Sequence, residues 1–194
     1  MRFDSRDIAL TAVIAALYAA LVIVQGISAA ATIQLRIADC LIPLSALLGL
    51  PAIFGVTLGG FVSNAYTSAA MPNGVYDIVL GPIANLVAGA LIYLLRDRRL
   101  IGCILGSAVI GLSVGSYVWL IFGPPPNIFG FEVPLNWPIW AVSILSITAS
   151  SLVAIAVFGY ALVTFLSRPR IIEPLKAKGL KAASKGEKPS HKAL

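Results

Sequence analysis

The sequence predicts an all-α integral membrane protein with six transmembrane helices, and two observations lead to this fold class. Of the 194 residues, 59% are hydrophobic and only 11% are charged, whereas a soluble domain has about 45–50% apolar and about 25% charged residues. The apolar residues also form long runs between polar breaks, and about 20 consecutive apolar residues are enough to cross a bilayer as a helix. Both observations indicate that the bilayer is the solvent of most of this chain.

The first apolar run, residues 8–28, predicts the first helix, because roughly 21 residues at about 1.5 Å each span the hydrocarbon core. A cleaved signal peptide is the alternative, since three alanines at 29–31 resemble a cleavage site. The apolar region is longer than that of a signal peptide, however, and Asp4 and Asp7 stand before it. We therefore predict an uncleaved helix.

The second apolar run, residues 40–70, is too long for one helix. Pro51, with Gly49 and Gly55 on either side, predicts a break into two short helices. A segment that enters the membrane and returns on the same side is the alternative, and it would reduce the total to four crossings. Three further runs predict the remaining helices, at residues 76–95, 100–122 and 137–166.

The distribution of positive residues predicts the orientation, because arginine and lysine accumulate on the cytoplasmic side. The N-terminus, the loop at 96–99 and the C-terminal tail all carry them. All three are therefore expected inside, which requires an even number of crossings before residue 95. The result is a six-helix protein with both termini in the cytoplasm and with short second and third helices.

The C-terminal tail carries the whole net charge of +6. Residues 168–194 hold two arginines and six lysines against two glutamates, so the other residues sum to zero. Such a separate basic block, with little to bury, predicts a membrane domain at 1–170 and a disordered, lysine-rich cytoplasmic tail at 171–194. A solvated positive tail near anionic lipid is the preferred interpretation of this charge, a protein partner is the alternative, and no nucleic acid partner is expected.

Several catalytic motifs are absent from the sequence. It contains no GxxxxGK[ST] motif for ATP and no HExxH motif for zinc, and its only histidine, His191, lies in the tail. These absences argue against an enzyme and against a metal or other cofactor. They also mean that the chain does not energise transport by itself.

Ionisable residues at membrane depth are costly and therefore indicate function. Between residues 8 and 95 these are Arg36, Asp39 and Asp77. Asp77 shares one helix face with Gly81 and Asn85, because the three recur every four residues. A carboxylate and an amide with a glycine between them suit a slot for a flat polar ligand, and helix packing is the alternative.

Other polar and aromatic residues on the predicted outer side extend this candidate site. Asn64 lies toward the outer end of the third helix, and Glu132 and Trp137 lie in an aromatic outer loop. Aromatic faces with a few acceptors suit a planar heteroaromatic ligand. Glu132 as a solvated loop carboxylate is the alternative. Arg36 and Asp39 could form a simple ion pair at the membrane surface or close a lid.

The first helix carries a stripe of small residues at Ala12, Ala16 and Ala20. Such a stripe allows another helix to approach closely. That helix could belong to this chain or to a different protein, and the residues alone leave both possibilities open.

Four segments resemble the QueT-type queuosine-precursor transporter family, whose members are substrate-binding S-components of energy-coupling-factor (ECF) transporters. They are RDIA at 6–9 with AALY at 15–18, IQLRIAD at 33–39 and GLPAIFG at 49–55. The resemblance covers residues 5–165, and the segment at 34–39 is its most specific part.

The resemblance implies a multi-pass protein of the cell membrane with a ligand pocket in its outer half. It also implies a partner module of one transmembrane subunit and two ATPases, which docks at Ala12 and Ala16. The implied ligand is a 7-deazaguanine-type base such as queuine, whose adjacent N–H donors Asp77 or Glu132 would accept. The alternatives are another vitamin-like heterocycle, a stand-alone facilitator or channel, and a structural subunit of another membrane complex.

Overall fold

A computed structural model describes residues 3–27, 36–69, 72–123, 127–128, 131–132 and 137–182 of this chain. The described residues form helices and one two-stranded hairpin. In chain order the elements are α1 (Ser5–Ile27), a 3₁₀ helix (Ile37–Leu44) continuing as α2 (Ser45–Leu48), α3 (Leu50–Thr67), α4 (Gly74–Leu94), a 3₁₀ turn (Arg96–Arg98), α5 (Arg99–Gly115), α6 (Trp119–Phe122), β1 (Asn127–Ile128), β2 (Phe131–Glu132), α7 (Ile139–Ser151), a π-helical segment (Leu152–Gly159), α8 (Tyr160–Leu166) and α9 (Pro169–Ala177).

Among the described residues, four helical stretches are long and apolar enough to cross a membrane: Ser5–Gln25, Gly74–Leu94, Arg96–Gly115 and Ile139–Leu166. The apolar helix Ile37–Leu48 is shorter, and α3 follows it with 18 residues. The chain is therefore a multi-pass membrane protein with an all-helical membrane part. A helical segment is present for each of the six predicted helices, and the number of crossings and their orientation stay predictions.

The second apolar run breaks within two residues of the predicted position. α2 ends and α3 begins at Gly49, whose φ of +66° is a conformation that favours glycine. Pro51 lies in the first turn of α3, where its missing N–H costs no helical hydrogen bond. The proline thus marks the start of the third helix, and the glycine makes the turn.

α1 packs on α3 through two glycines of α3. A Cβ atom at Gly55 would lie 2.7 Å from Ile14 Cβ, and one at Gly59 would lie 2.7 Å from the carbonyl oxygen of Ala15. The absence of these side chains lets the two helices approach closely. α1 therefore buries Ile14 and Tyr18, while the rest of the bundle continues through α4, α5 and α7.

The π-helical segment packs against the 3₁₀ helix at Gly159. A Cβ atom there would lie 2.6 Å from Pro43 Cγ and 2.9 Å from the carbonyl oxygen of Cys40. Short π-helical stretches inside α-helices often occur at functional sites. Here the wider turn of the last long helix lies against the segment that carries Asp39.

The C-terminal segment is helical where the sequence analysis predicts disorder. α9 ends in a Schellman motif at Gly179, whose φ is +95°. The Leu180 N–H donates to the Leu175 carbonyl at 3.0 Å, and the Gly179 N–H donates to the Lys176 carbonyl at 2.8 Å. The expectation of disorder from residue 171 therefore does not hold as far as residue 182, and residues 183–194 lie outside the described residues.

Lys181 fastens this segment to the start of α1. Its Nζ atom lies 2.8 Å from Asp4 Oδ2 and 2.7 Å from Asp7 Oδ2. Asp4 and Asp7 also cap α1, because the side chain of each accepts the backbone N–H of the other at 3.1 Å. The hydrogen bond from Lys181 lowers the pKa of the Asp4 carboxyl below its ordinary value. We call these contacts the terminal bridge.

The terminal bridge also includes a backbone contact. Arg6 Nη1 donates to the carbonyl oxygen of Lys178 at 3.2 Å. A Cβ atom at Gly179 would collide with the same guanidinium, so glycine serves both the left-handed turn and the close approach. The order of this segment thus depends on contacts with the opposite end of the chain, which the composition of the tail does not reveal.

Candidate functional site

Asp39 is a fully buried carboxylate with two donors. The Tyr18 hydroxyl donates to its Oδ1 atom at 2.7 Å, and Arg36 Nε donates to its Oδ2 atom at 3.0 Å. Asp39 has a relative exposure of 0% and the Arg36 side chain one of 25%, so the predicted pair forms and its carboxylate is buried. A buried carboxylate requires such partners, because an unpaired charge there is strongly destabilising.

Asn85 joins the same group of residues through Tyr18. Its Nδ2 atom donates to the Tyr18 hydroxyl oxygen at 3.0 Å and to the Val56 carbonyl at 3.2 Å. Because both partners act as acceptors, the orientation of the amide is fixed. Its Oδ1 atom is buried and accepts no hydrogen bond within the described part of the chain. We call Tyr18, Arg36, Asp39 and Asn85 the Tyr18 cluster.

Asp77 is the centre of a second buried group. Ser68 Oγ donates to its Oδ2 atom at 2.8 Å, and the Tyr117 hydroxyl donates to its Oδ1 atom at 3.0 Å. A carboxylate accepts about four hydrogen bonds, so the described residues leave acceptor capacity on both oxygens. We call Asn64, Ser68, Asp77 and Tyr117 the Tyr117 cluster.

Asn64 belongs to this cluster through the backbone of α4. Its Nδ2 atom donates to the carbonyl oxygen of Asp77 at 2.8 Å. A Cβ atom at Gly81 would collide with this amide. Of the two interpretations of Gly81, a ligand slot and helix packing, this contact fits helix packing, because the side chain of Asn64 occupies the space beside the glycine.

A matching contact lies one helical turn away, with the roles of α3 and α4 exchanged. A Cβ atom at Gly60 of α3 would lie 2.7 Å from Asn85 Nδ2 of α4. Each helix therefore supplies a glycine that accommodates the amide of the other, at Gly60 with Asn85 and at Gly81 with Asn64. These reciprocal contacts fix the register of α3 against α4 and hold both amides in buried positions.

The two clusters bring together five of the seven predicted binding residues. Arg36, Asp39 and Asn85 share the first, and Asn64 and Asp77 share the second. Asp77 and Asn85 lie on one face of α4 as predicted, but they bind different partners. Arg36 lies close enough to Asp77 as well as to Asp39 for its positive charge to act on both carboxylates. Its backbone N–H donates to Ser150 Oγ of α7 at 3.0 Å.

The remaining two predicted binding residues lie near the hairpin. Trp137 precedes α7 with a relative exposure of 48%, and no hydrogen bond among the described residues joins it to either cluster. Glu132 belongs to β2 and pairs with Asn127 of β1. The Glu132 side chain lies outside the described residues, so its role stays a prediction.

The alanine stripe lies on the outward face of α1. Ala12, Ala16 and Ala20 are all exposed, whereas Ile14 and Tyr18 on the opposite side are buried. The close contact of α1 with α3 depends on the glycines of α3 and not on this stripe. The stripe therefore remains available to a helix from outside this chain.

Three members of the clusters are absent from the predicted site: Tyr18, Ser68 and Tyr117. A sequence signal existed for the tyrosines, because a buried tyrosine hydroxyl usually has a hydrogen-bond partner. Both hydroxyls in fact donate to a carboxylate of the predicted site. No comparable signal marks Ser68, because a serine in an apolar helix commonly bonds to its own backbone.

Comparison with models of protein families matches residues 8–168 to the family described as the QueT transporter. The match covers the stretch from α1 to the end of the last long helix and includes every described member of the two clusters. No curated protein and no solved structure matches the chain.

Proposed function

Because the chain belongs to the QueT transporter family, we propose that it is the substrate-binding S-component of an ATP-driven ECF importer in the cell membrane. The substrate is a 7-deazaguanine-type queuosine precursor, such as queuine, captured from outside. The observation that carries this proposal is the pair of buried polar clusters among apolar helices, since such groups in a membrane are retained for function.

The unfilled acceptor positions of these clusters match the substrate. A guanine-like edge presents adjacent N–H donors, and one carboxylate accepts two of them side by side. Asp77 has this capacity, because each of its oxygens accepts one hydroxyl from the described residues. Asn85 Oδ1 is a further buried acceptor without a described partner, and a ligand N–H would satisfy it.

Two features of the chain support the proposed partner module, namely the lack of an ATP-binding motif and the exposed alanines. The chain has no ATP-binding loop motif, so an ATP-driven importer requires separate ATPase subunits. The exposed stripe at Ala12, Ala16 and Ala20 suits close contact with a helix of a transmembrane subunit. A stand-alone facilitator, the second candidate, would need no such contact.

Ligand binding by the purified protein tests the proposed function. We expect queuine or one of its 7-deazaguanine precursors to quench or shift tryptophan fluorescence, and mass spectrometry should identify such a base in the purified protein. The isolated subunit in liposomes should bind the base without accumulating it. Uptake by the subunit alone would favour the facilitator, and the absence of any deazapurine binding would exclude the ligand.

The orientation of the six helices is testable by cysteine labelling. After replacement of Cys40 and Cys103, single cysteines at positions 127 and 186 should react with an impermeant reagent from opposite sides of the membrane. The reason is that positive charge concentrates at 96–99 and in the tail, and not at 123–136. Labelling of both positions from the same side would contradict a single crossing by the helix predicted at 137–166, and with it the six-helix topology.

A further inference from the structure

The Tyr18 cluster connects the face of α1 proposed to dock the partner with residues proposed to bind the substrate. We infer that Tyr18 is a positioning residue that couples substrate binding to partner docking. This inference rests on the proposed function. It adds a residue that the sequence analysis does not include in the site, together with a route by which each site influences the other.

The first observation is the position of Tyr18 on α1. Tyr18 lies two residues from both Ala16 and Ala20, which corresponds to about 200° around the helix. Its side chain is 1% exposed and points inward, whereas both alanines are exposed. A partner that moves or rotates α1 by contacting the stripe therefore also moves the Tyr18 hydroxyl.

The second observation is the double hydrogen bond of that hydroxyl. It donates to Asp39 at 2.7 Å and accepts from Asn85 at 3.0 Å. Hydrogen bonds weaken steeply outside a narrow range of distance and angle, so a displacement of α1 by about 1 Å would break at least one of them. Asp39 would lose a donor, and the Asn85 amide would lose one of the two acceptors that orient it.

The third observation is the tight fit of α1 at this level. A Cβ atom at Gly59 of α3 would lie 2.8 Å from Tyr18 Cβ, so backbone and side chain are in direct contact there. Close-packed interfaces of this kind change between discrete arrangements and do not deform continuously. Movement of α1 is therefore transmitted to Asp39 and Asn85 and is not absorbed by loose packing.

The consequence is a reciprocal effect between the two sites. If the partner changes the affinity for the base by some factor, the base changes the affinity for the partner by the same factor. Coupling between sites in proteins commonly amounts to a factor of about 5 to 150. The Tyr18 hydroxyl is then required for the coupling between the two sites, and not only for the affinity of the protein for the base.

Tyr18→Phe tests the inference, with Tyr117→Phe as the matched control. Each substitution removes one hydroxyl from one buried carboxylate and keeps the ring, but only Tyr18 lies on α1. The dissociation constant of queuine is measured for the isolated subunit and for the complex with its transmembrane and ATPase subunits. The ratio is the dissociation constant of the isolated subunit divided by that of the complex. We expect this ratio to approach one in Tyr18→Phe and to keep the value of the unmodified protein in Tyr117→Phe.

Asp39→Asn provides a second variant in case Tyr18→Phe fails to fold, and it should also bring the ratio closer to one. An unchanged ratio in either folded variant would overturn the inference, and so would an equal change of the ratio in Tyr117→Phe.

The affinity for the partner in the absence of queuine provides a second measurement. We expect Tyr18→Phe to change this affinity and Tyr117→Phe to leave it unchanged. If the unmodified protein binds no deazapurine and this difference persists, the proposed substrate fails, whereas the effect of Tyr18 on partner docking stands. If the difference is also absent, both are overturned.

Discussion

Replacement of Asp77 by asparagine is expected to weaken binding of the deazaguanine base roughly tenfold to a hundredfold. The substitution keeps the shape of the side chain but replaces one acceptor oxygen with an N–H donor, which then faces a donor of the base. Loss of a hydrogen bond to a charged group costs about 1.5–3 kcal/mol. The Ser68 and Tyr117 hydroxyls rotate to suit either group, so the fold should be preserved.

Titration of the purified variant with queuine, by calorimetry or tryptophan fluorescence, measures this effect. Glu132→Gln is the control, because it alters the rival carboxylate in the hairpin. A base that lacks the exocyclic amine gives a second check, since it should bind weakly to the unmodified protein and lose little further affinity in Asp77→Asn. Unchanged affinity in Asp77→Asn together with a large loss in Glu132→Gln would move the site to the hairpin.

Replacement of Ala16 by tryptophan is expected to abolish transport while leaving queuine binding by the isolated subunit nearly unchanged. Ala16 is exposed on α1, so the larger side chain projects outward and displaces nothing inside the bundle. A partner helix that packs closely against an alanine stripe has no space for an indole ring. The expected result is loss of assembly with the transmembrane subunit, measured by co-purification, and loss of uptake by the assembled transporter.

Leu112→Trp is the matched control for this prediction. Leu112 lies on α5 and is 60% exposed, so it places the same ring on an outward surface away from α1. Transport should persist in this variant. If Ala16→Trp weakens queuine binding and transport equally, the stripe serves packing within the chain, and the docking proposal fails.

The sequence predicts the helices well because the bilayer imposes their length and composition. The run at 76–95 corresponds to α4 at Gly74–Leu94, and the run at 100–122 covers α5 and α6. A spacing of four residues likewise places Asp77 and Asn85 on one face of α4. These features depend on neighbours in the chain, and a single sequence therefore contains the information that determines them.

The contents of the clusters depend on distant residues and could not be predicted in the same way. Asp39 is buried because Tyr18, which lies 21 residues earlier, satisfies one of its oxygens. The glycine at position 81 indicates that space is present, but only the packing of α3 reveals that Asn64 occupies it. Helical periodicity assigns a residue to a face and does not identify what that face contacts.

The terminal bridge has a consequence for the order of events during biogenesis. Lys181 and Asp7 are 174 residues apart in the chain, and synthesis proceeds from the N-terminus. α1 and α3 are therefore made long before the lysine that binds the first turn of α1 emerges from the ribosome. The terminal bridge forms only after the last long helix and Lys181 have been made. Its presence therefore distinguishes a chain synthesised through residue 181 from a shorter, partly synthesised one.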